Sequence, residues 1–152
     1  MNNLELAEQY IRQAEVRVKH SSEALEDGEY PYVIRQAQES VELALKGALR
    51  LIGVEPPKWH DVGPILKDLR ERFPEWFRSM IDEFASISRE LRREREPAMY
   101  GDEETATPPY KLYSRNDAER ALRNARRVVE SCRRLLEEWR KAHAAGDNRL
   151  NP

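Results

Sequence analysis

Arginine is concentrated in one short stretch of the chain, just before a segment rich in proline and glycine. Arg89, Arg92, Arg93 and Arg95 lie within seven residues of one another. In a helix, the spacing i, i+3, i+4 places Arg89, Arg92 and Arg93 on the same side. A guanidinium group can hold a phosphate through two parallel N–H bonds. These four arginines are therefore the predicted phosphate-binding residues.

Tyr100 follows the arginines within the sequence EPAMYGD, where neighbouring proline and glycine favour an exposed turn. A tyrosine in this position has two interpretations. It is either a site that another enzyme modifies, or an aromatic ring that packs its segment onto the domain. The residues alone leave both interpretations open.

Few other side chains could do chemistry. His60 precedes Asp61 ahead of a short helix, and its pattern is typical of a structural residue, with proton transfer as a secondary interpretation. Cys132 is the one cysteine and lies in an apolar stripe, which indicates a core residue and excludes an internal disulfide. No His, Cys or carboxylate cluster has metal-ligand spacing, and there is no glycine-rich phosphate loop. We predict no metal and no cofactor.

Basic residues also recur along the last predicted helix. Arg126, Arg133 and Arg140 follow one another at seven-residue intervals on a border of its apolar stripe. From there they either cover the core and reach a neighbouring helix, or bind an anion. Arg126 and Arg133 are therefore secondary candidates for a binding site.

The helices that must position these residues are predicted from the spacing of apolar side chains. The clearest spans residues 33–53, begins near Tyr30-Pro31 and ends at Gly53. Its stripe consists of Ile34, Ala37, Val41, Ala44, Leu45, Ala48, Leu51 and Ile52. Four more helices are predicted over residues 3–27, 60–72, 74–95 and 115–143. Short links favour antiparallel neighbours, so we expect an all-α, five-helix, up-and-down bundle.

One segment breaks the helical pattern. Residues 96–113 contain three prolines, one glycine and no apolar periodicity, so we expect a mobile connector there. Residues 1–143 are predicted to form a single domain, and residues 144–152 a frayed tail.

Composition limits the classes of function. The 152 residues include 26 basic and 28 acidic side chains, so the whole chain is not a polycation. Arginine outnumbers lysine 20 to 6. There is no apolar run of 18 residues and no signal peptide, from which we expect a cytoplasmic protein without a membrane role.

The central helix also carries a family resemblance. Residues 35–66, RQAQESVELALKGALRLIGVEPPKWHDVGPIL, resemble the second helix, the turn and the start of the third helix of HEPN domains. HEPN domains are small prokaryotic helical bundles, among them nucleotide-binding partners of nucleotidyltransferases and metal-independent RNases. HEPN toxins carry an Arg-x4-His-x-Tyr motif, to which residues 93–100 are similar. Here Arg93 and Tyr100 match that motif, whereas Ala98 occupies the histidine position.

The resemblance implies a function as well as a fold. In the RNase members the histidine moves a proton while the arginine holds the phosphate, and alanine cannot replace the histidine. The resemblance therefore implies a non-catalytic protein that associates with nucleotide or RNA and acts with a separate nucleotidyltransferase, as a toxin–antitoxin or accessory pair. It also implies a homodimer and, in Tyr100, an acceptor of transferred AMP. Two alternatives are an RNase with a different proton-transfer residue and a purely structural bundle without a ligand.

Overall fold

The computed structural model describes residues 2–58 and 61–144, which form helices and no strand. The α-helices are α1 (Asn3–Glu26), α2 (Tyr30–Leu51), α3 (Gly63–Asp68), α4 (Glu75–Arg78), α5 (Ile81–Arg93), α6 (Arg95–Tyr100), α7 (Pro109–Leu112) and α8 (Arg115–Ala144). A 3-10 turn, Arg70–Arg72, lies between α3 and α4. The predicted all-α fold is confirmed. Among these residues, we find no helix with the length and hydrophobicity needed to span a membrane.

The sequence predicts five helices, and the structure divides two of them. The segment predicted as one helix over 74–95 consists of α4 and α5, separated by Ser79 and Met80. The Ser79 hydroxyl donates to the Trp76 carbonyl at 2.9 Å, and the Met80 N–H donates to the Phe77 carbonyl at 2.9 Å. Such i→i−3 bonds tighten the turn and interrupt the α-helical ladder. The segment predicted over 60–72 likewise ends in the 3-10 turn.

Helix α2 lies at the centre of the bundle. It packs against α1 on one side and α8 on another, and also contacts α5 and α6. The stripe that the sequence predicts for it is buried, with Ala37, Ala44, Leu45 and Ala48 fully so. Because α2 contacts α1, α5, α6, α7 and α8, most of the fold is placed relative to it, while α3 packs on α5.

Residues 96–113 have more regular structure than the sequence predicts, because they contain α6 and α7. Between these helices, Asp102 and Thr107 exchange two backbone hydrogen bonds of 2.9 Å. Gly101 has φ of +79°, and a Cβ there would collide with the Thr107 carbonyl oxygen. Only glycine fits this turn without strain. The mobility of the connector stays a prediction, and the predicted tail beyond Ala144 lies outside the described residues.

Arg133 joins α8 to α1. Its guanidinium donates to Glu15 at 2.6 Å, to Glu8 at 2.9 Å and to Glu137 at 3.2 Å. The hydrogen bond to Glu15, followed by that to Glu8, raises the pKa of Arg133 above its ordinary value despite partial burial. Arg140 extends the network through a 3.0 Å ion pair with Glu8. The sequence leaves two interpretations open for this row of arginines. Arg133 and Arg140 fit the first, because both contact a neighbouring helix.

We expect Arg133→Ala to lower the free energy of unfolding by about 1–2 kcal/mol at low salt, because several ion pairs are lost together and three carboxylates lose a partner. The loss should shrink as salt screens the remaining charges. Chemical denaturation at two salt concentrations measures both effects. Arg123→Ala, an exposed arginine on the same helix, is the control and should change stability by less than about 0.5 kcal/mol. Equal effects of the two substitutions would contradict the assignment.

Candidate functional site

The four arginines predicted to bind phosphate lie at the end of α5 and the start of α6, in different surroundings. Arg92 is half-buried and donates to Glu42 of α2 at 3.4 Å. Glu42 also forms a 3.5 Å ion pair with Lys46. Arg89, Arg93 and Arg95 are exposed, and within the described residues none of the three has a carboxylate partner. The structure therefore holds Arg92 against the bundle and presents the other three to solvent.

A row of glutamates lies beside the arginines on α5. Glu90 and Glu94 follow Arg89 and Arg93 by one residue each, a rotation of about 100° around the helix. They line a cavity of about 760 Å³ that is bounded by α2, α5, α6, α7 and the start of α8. The cavity lining includes neither Arg89 nor Arg93. At the end of α5, the glutamates therefore face the cavity, and the arginines lie on the adjacent face outside it.

The cavity has an apolar floor and an acidic wall. Ile34, Leu91 and Leu112 contribute apolar surface. Its carboxylates are Glu90, Glu94, Glu96, Asp102, Glu103, Glu104 and Asp117, and its one arginine is Arg120. Arg120 is already paired with Asp117 at 3.2 Å. This excess of negative charge repels a phosphate group, so the cavity is not where the predicted phosphate ligand would sit. In the described residues, no three His, Cys, Asp or Glu side chains are arranged to hold a metal ion.

Tyr100 stands at the rim of this cavity. It is the last residue of α6, lines the cavity and is 67% exposed. The neighbouring Met99 is 40% exposed. Of the two interpretations that the sequence leaves open for Tyr100, packing of the ring onto the domain does not fit this exposure. Its hydroxyl is accessible to another macromolecule.

Tyr113 is partly buried, in contrast to the exposed Tyr100. Its hydroxyl donates to Glu94 at 2.6 Å and so joins the start of α8 to the end of α5 across the cavity. Burial, and then the hydrogen bond to Glu94, raise the pKa of Tyr113 far above its ordinary value. Tyr113 is therefore a neutral phenol with a structural role, and its hydrogen bond takes up one oxygen of the Glu94 carboxylate. No local sequence pattern predicts this pair, because the two residues are 19 positions apart in the chain.

Ala98, at the histidine position of the motif, is a core residue. It is only 4% exposed and belongs to the hydrophobic cluster built around α2. Its side chain consequently packs inward while Tyr100, two residues on, is exposed. The matching tyrosine of the motif is thus exposed to solvent, whereas the position of the missing histidine is buried in the core.

The secondary candidates do not lie in the site. Arg133 is tied to α1, and Arg126 donates to the Ser22 hydroxyl at 2.9 Å. Cys132 is fully buried, as the sequence predicts, and burial raises the pKa of its thiol far above the ordinary value. His60 lies outside the described residues, so its predicted role stays a prediction.

The buried position of Ala98 changes what a histidine would do there. From the motif alone, a histidine at residue 98 is expected to supply the missing proton-transfer group. In the structure, Ala98→His instead forces a large polar ring into a packed core, and we expect it to lower the free energy of unfolding by about 1–3 kcal/mol. Thermal unfolding measures the change. Met99→His, at the adjacent exposed residue, is the control and should be near neutral; a fully stable Ala98→His protein would contradict this packing.

Comparison with known proteins agrees with this architecture. A family model described as "HEPN domain" matches residues 7–135. Among solved structures, the crystal structure of TT1696 from Thermus thermophilus is similar, with a TM-score of 0.68 and 28% sequence identity. The alignment covers 91% of this chain and 99% of TT1696. No protein of curated function matches the chain. Because the family model spans most of the helical bundle, the chain belongs to the HEPN domain family.

Proposed function

We propose that this HEPN protein is non-catalytic, associates with nucleotide or RNA, and acts with a separate nucleotidyltransferase for which Tyr100 is the acceptor. The observation that carries the proposal is the contrast between residues 98 and 100. The proton-transfer position is occupied by a buried alanine, whereas the tyrosine of the motif is two-thirds exposed. The motif thus keeps a group that can be modified and lacks the group that would cleave RNA.

The absence of histidine at residue 98 argues against RNA cleavage. General acid–base catalysis typically contributes about 10²- to 10⁴-fold, and alanine contributes none of it. Glu94 accepts the hydrogen bond of Tyr113, and Tyr113 itself is held neutral. The raised pKa of Tyr113 keeps its phenol from acting as a base near neutral pH, and the Glu94 carboxylate is occupied by that phenol. The arginines alone can bind a phosphodiester without breaking it.

The surroundings of Tyr100 indicate how the transfer would proceed. The Tyr100 oxygen attacks the α-phosphorus of ATP; an O–P bond forms, the bond to the β-phosphate breaks, and pyrophosphate leaves with the electron pair. The phenol proton passes to a base of the transferase, since the phenol must lose it. Because the cavity beside Tyr100 is acidic, the chain does not hold the triphosphate there. The nucleotide would therefore arrive bound to the partner enzyme.

The exposed arginines supply the association with nucleotide or RNA. Arg89, Arg93 and Arg95 lack carboxylate partners among the described residues and are free to contact phosphate oxygens. A homodimer that brings α5 and α6 of two copies together would double this charge. Met99 and Tyr110, both exposed, provide apolar surface for such an interface and leave Tyr100 accessible. We include the homodimer and a cytoplasmic location in the proposal.

The proposal predicts a small nucleotidyltransferase encoded next to this protein, and the test is modification of the purified protein by that neighbouring enzyme. With ATP, we expect a mass increase of one AMP group, located by peptide mass spectrometry on Tyr100. Tyr100→Phe should abolish the increase. Tyr110→Phe is a close control, because Tyr110 is 68% exposed against 67% for Tyr100.

Two results would contradict the proposal. One is modification that persists in Tyr100→Phe and is lost in Tyr110→Phe, which would place the acceptor on α7. The other is the absence of any AMP transfer by the neighbouring enzyme when that enzyme is active on a different protein.

A further inference from the structure

A second concave surface, the α4–α8 groove, lies apart from the Tyr100 cavity. It has a volume of about 530 Å³ and shares no lining residue with that cavity. Its lining residues are Trp76, Met80, Arg123, Arg126, Arg127, Glu130, Ser131 and Arg134. Four of these eight side chains are arginines and one is a glutamate. The groove is therefore basic where the cavity is acidic.

The positive charge of the groove is only partly neutralised. Arg127 forms a 2.9 Å ion pair with Glu83, and Arg134 forms one of 3.2 Å with Glu138. Arg123 and Arg126 have no carboxylate within ion-pair distance among the described residues. Counting Glu83, Glu130 and Glu138 against four arginines leaves a net charge of +1. Each guanidinium has five N–H donors, so Arg127 and Arg134 also keep donors for a ligand.

Trp76 fixes one side of the groove. The Arg134 guanidinium lies 3.8 Å from the centre of the Trp76 ring, a cation–π contact. The indole N–H donates to Glu138 at 2.8 Å, and Glu138 accepts from Arg134 in turn. These three contacts form a closed triangle that holds Arg134 in place. An arginine ordered in this way loses less conformational entropy when it binds a ligand.

The length of the arginine row favours a ligand with several phosphates. From Arg123 to Arg134 the helix advances by about 16 Å at 1.5 Å per residue. Phosphates of a stacked strand follow one another every few ångströms, so a row of this length meets several phosphates in series. A single nucleotide would leave most of the row unused. We propose that the α4–α8 groove binds the backbone of single-stranded RNA, through phosphate contacts and without base readout.

This groove does not depend on the proposed function of Tyr100. It contains none of the arginines from residues 89 to 95, and its occupation requires no modification of the protein. Loss of one activity would leave the other intact, so the two proposals fail separately.

The experiment measures the binding of a labelled single-stranded oligouridylate to the full chain by fluorescence anisotropy over a range of salt. The test variant is Arg123→Gln with Arg127→Gln, both exposed positions. We expect its affinity to fall about tenfold, and the slope of log affinity against log salt to decrease by about 1.4, because each contact to a single strand contributes about 0.7. Circular dichroism and thermal unfolding of the variant show that the fold is kept.

A charge-matched variant, Arg12→Gln with Lys19→Gln on α1, removes two exposed positive charges elsewhere and should bind almost as tightly as the unmodified protein. Equal weakening by the two variants would show unspecific charge attraction and overturn the groove. Unchanged binding in the Arg123, Arg127 variant would overturn it directly. Groove-dependent binding to vesicles of phosphatidylserine and phosphatidylcholine, without any to the oligouridylate, would assign the surface to lipid and also overturn the proposal.

Discussion

The close approach of α1 and α2 is the constraint on which the rest of the bundle depends. A Cβ at Gly47 would lie 2.9 Å from Cγ1 of Ile11 and 3.3 Å from the backbone oxygen of Ala7. A glycine inside a helix costs about 1 kcal/mol relative to alanine. It is tolerated at residue 47 because α1 occupies the space that a side chain would need. With Ala37, Ala44 and Ala48 on the same helix, this contact lets α2 sit deep enough to touch α8 as well.

The placement of α2 determines the geometry of the site. Helices α5 and α6 pack on it, and Ala98 is buried against the same core. Once Ala98 faces inward, Tyr100, at the end of the same short helix, lies at the surface. Gly101 then turns the chain sharply, because the Thr107 carbonyl leaves no room for a Cβ. The exposure of Tyr100 is thus a consequence of the packing of Ala98, two residues before it.

The sequence predicts the long helices because each carries its own signal. The apolar stripe of α2, the proline at its start and the glycine after its end depend only on local spacing, and the HEPN resemblance follows from the same stretch. Helix α6 has no such signal, since it is a short segment containing Pro97 that is stabilised by packing on α2. The division of residues 74–95 has no sequence signal either, because it depends on i→i−3 bonds from the Ser79 hydroxyl to Trp76 and from the Met80 N–H to Phe77. For the site, composition predicts the arginines but not their partners. The capture of Arg92 by Glu42 joins residues 50 positions apart, and Trp76 meets Glu138 across 62 positions.

We propose that this HEPN domain does not cleave RNA, although the tyrosine of its motif is exposed. The most direct test of this proposal is incubation of the purified protein with labelled single-stranded RNA in the presence of a metal chelator, followed by electrophoresis. The account predicts intact RNA after prolonged incubation. Metal-independent cleavage by the unmodified protein, abolished by Arg93→Ala, would contradict it and show that another residue performs the proton transfer.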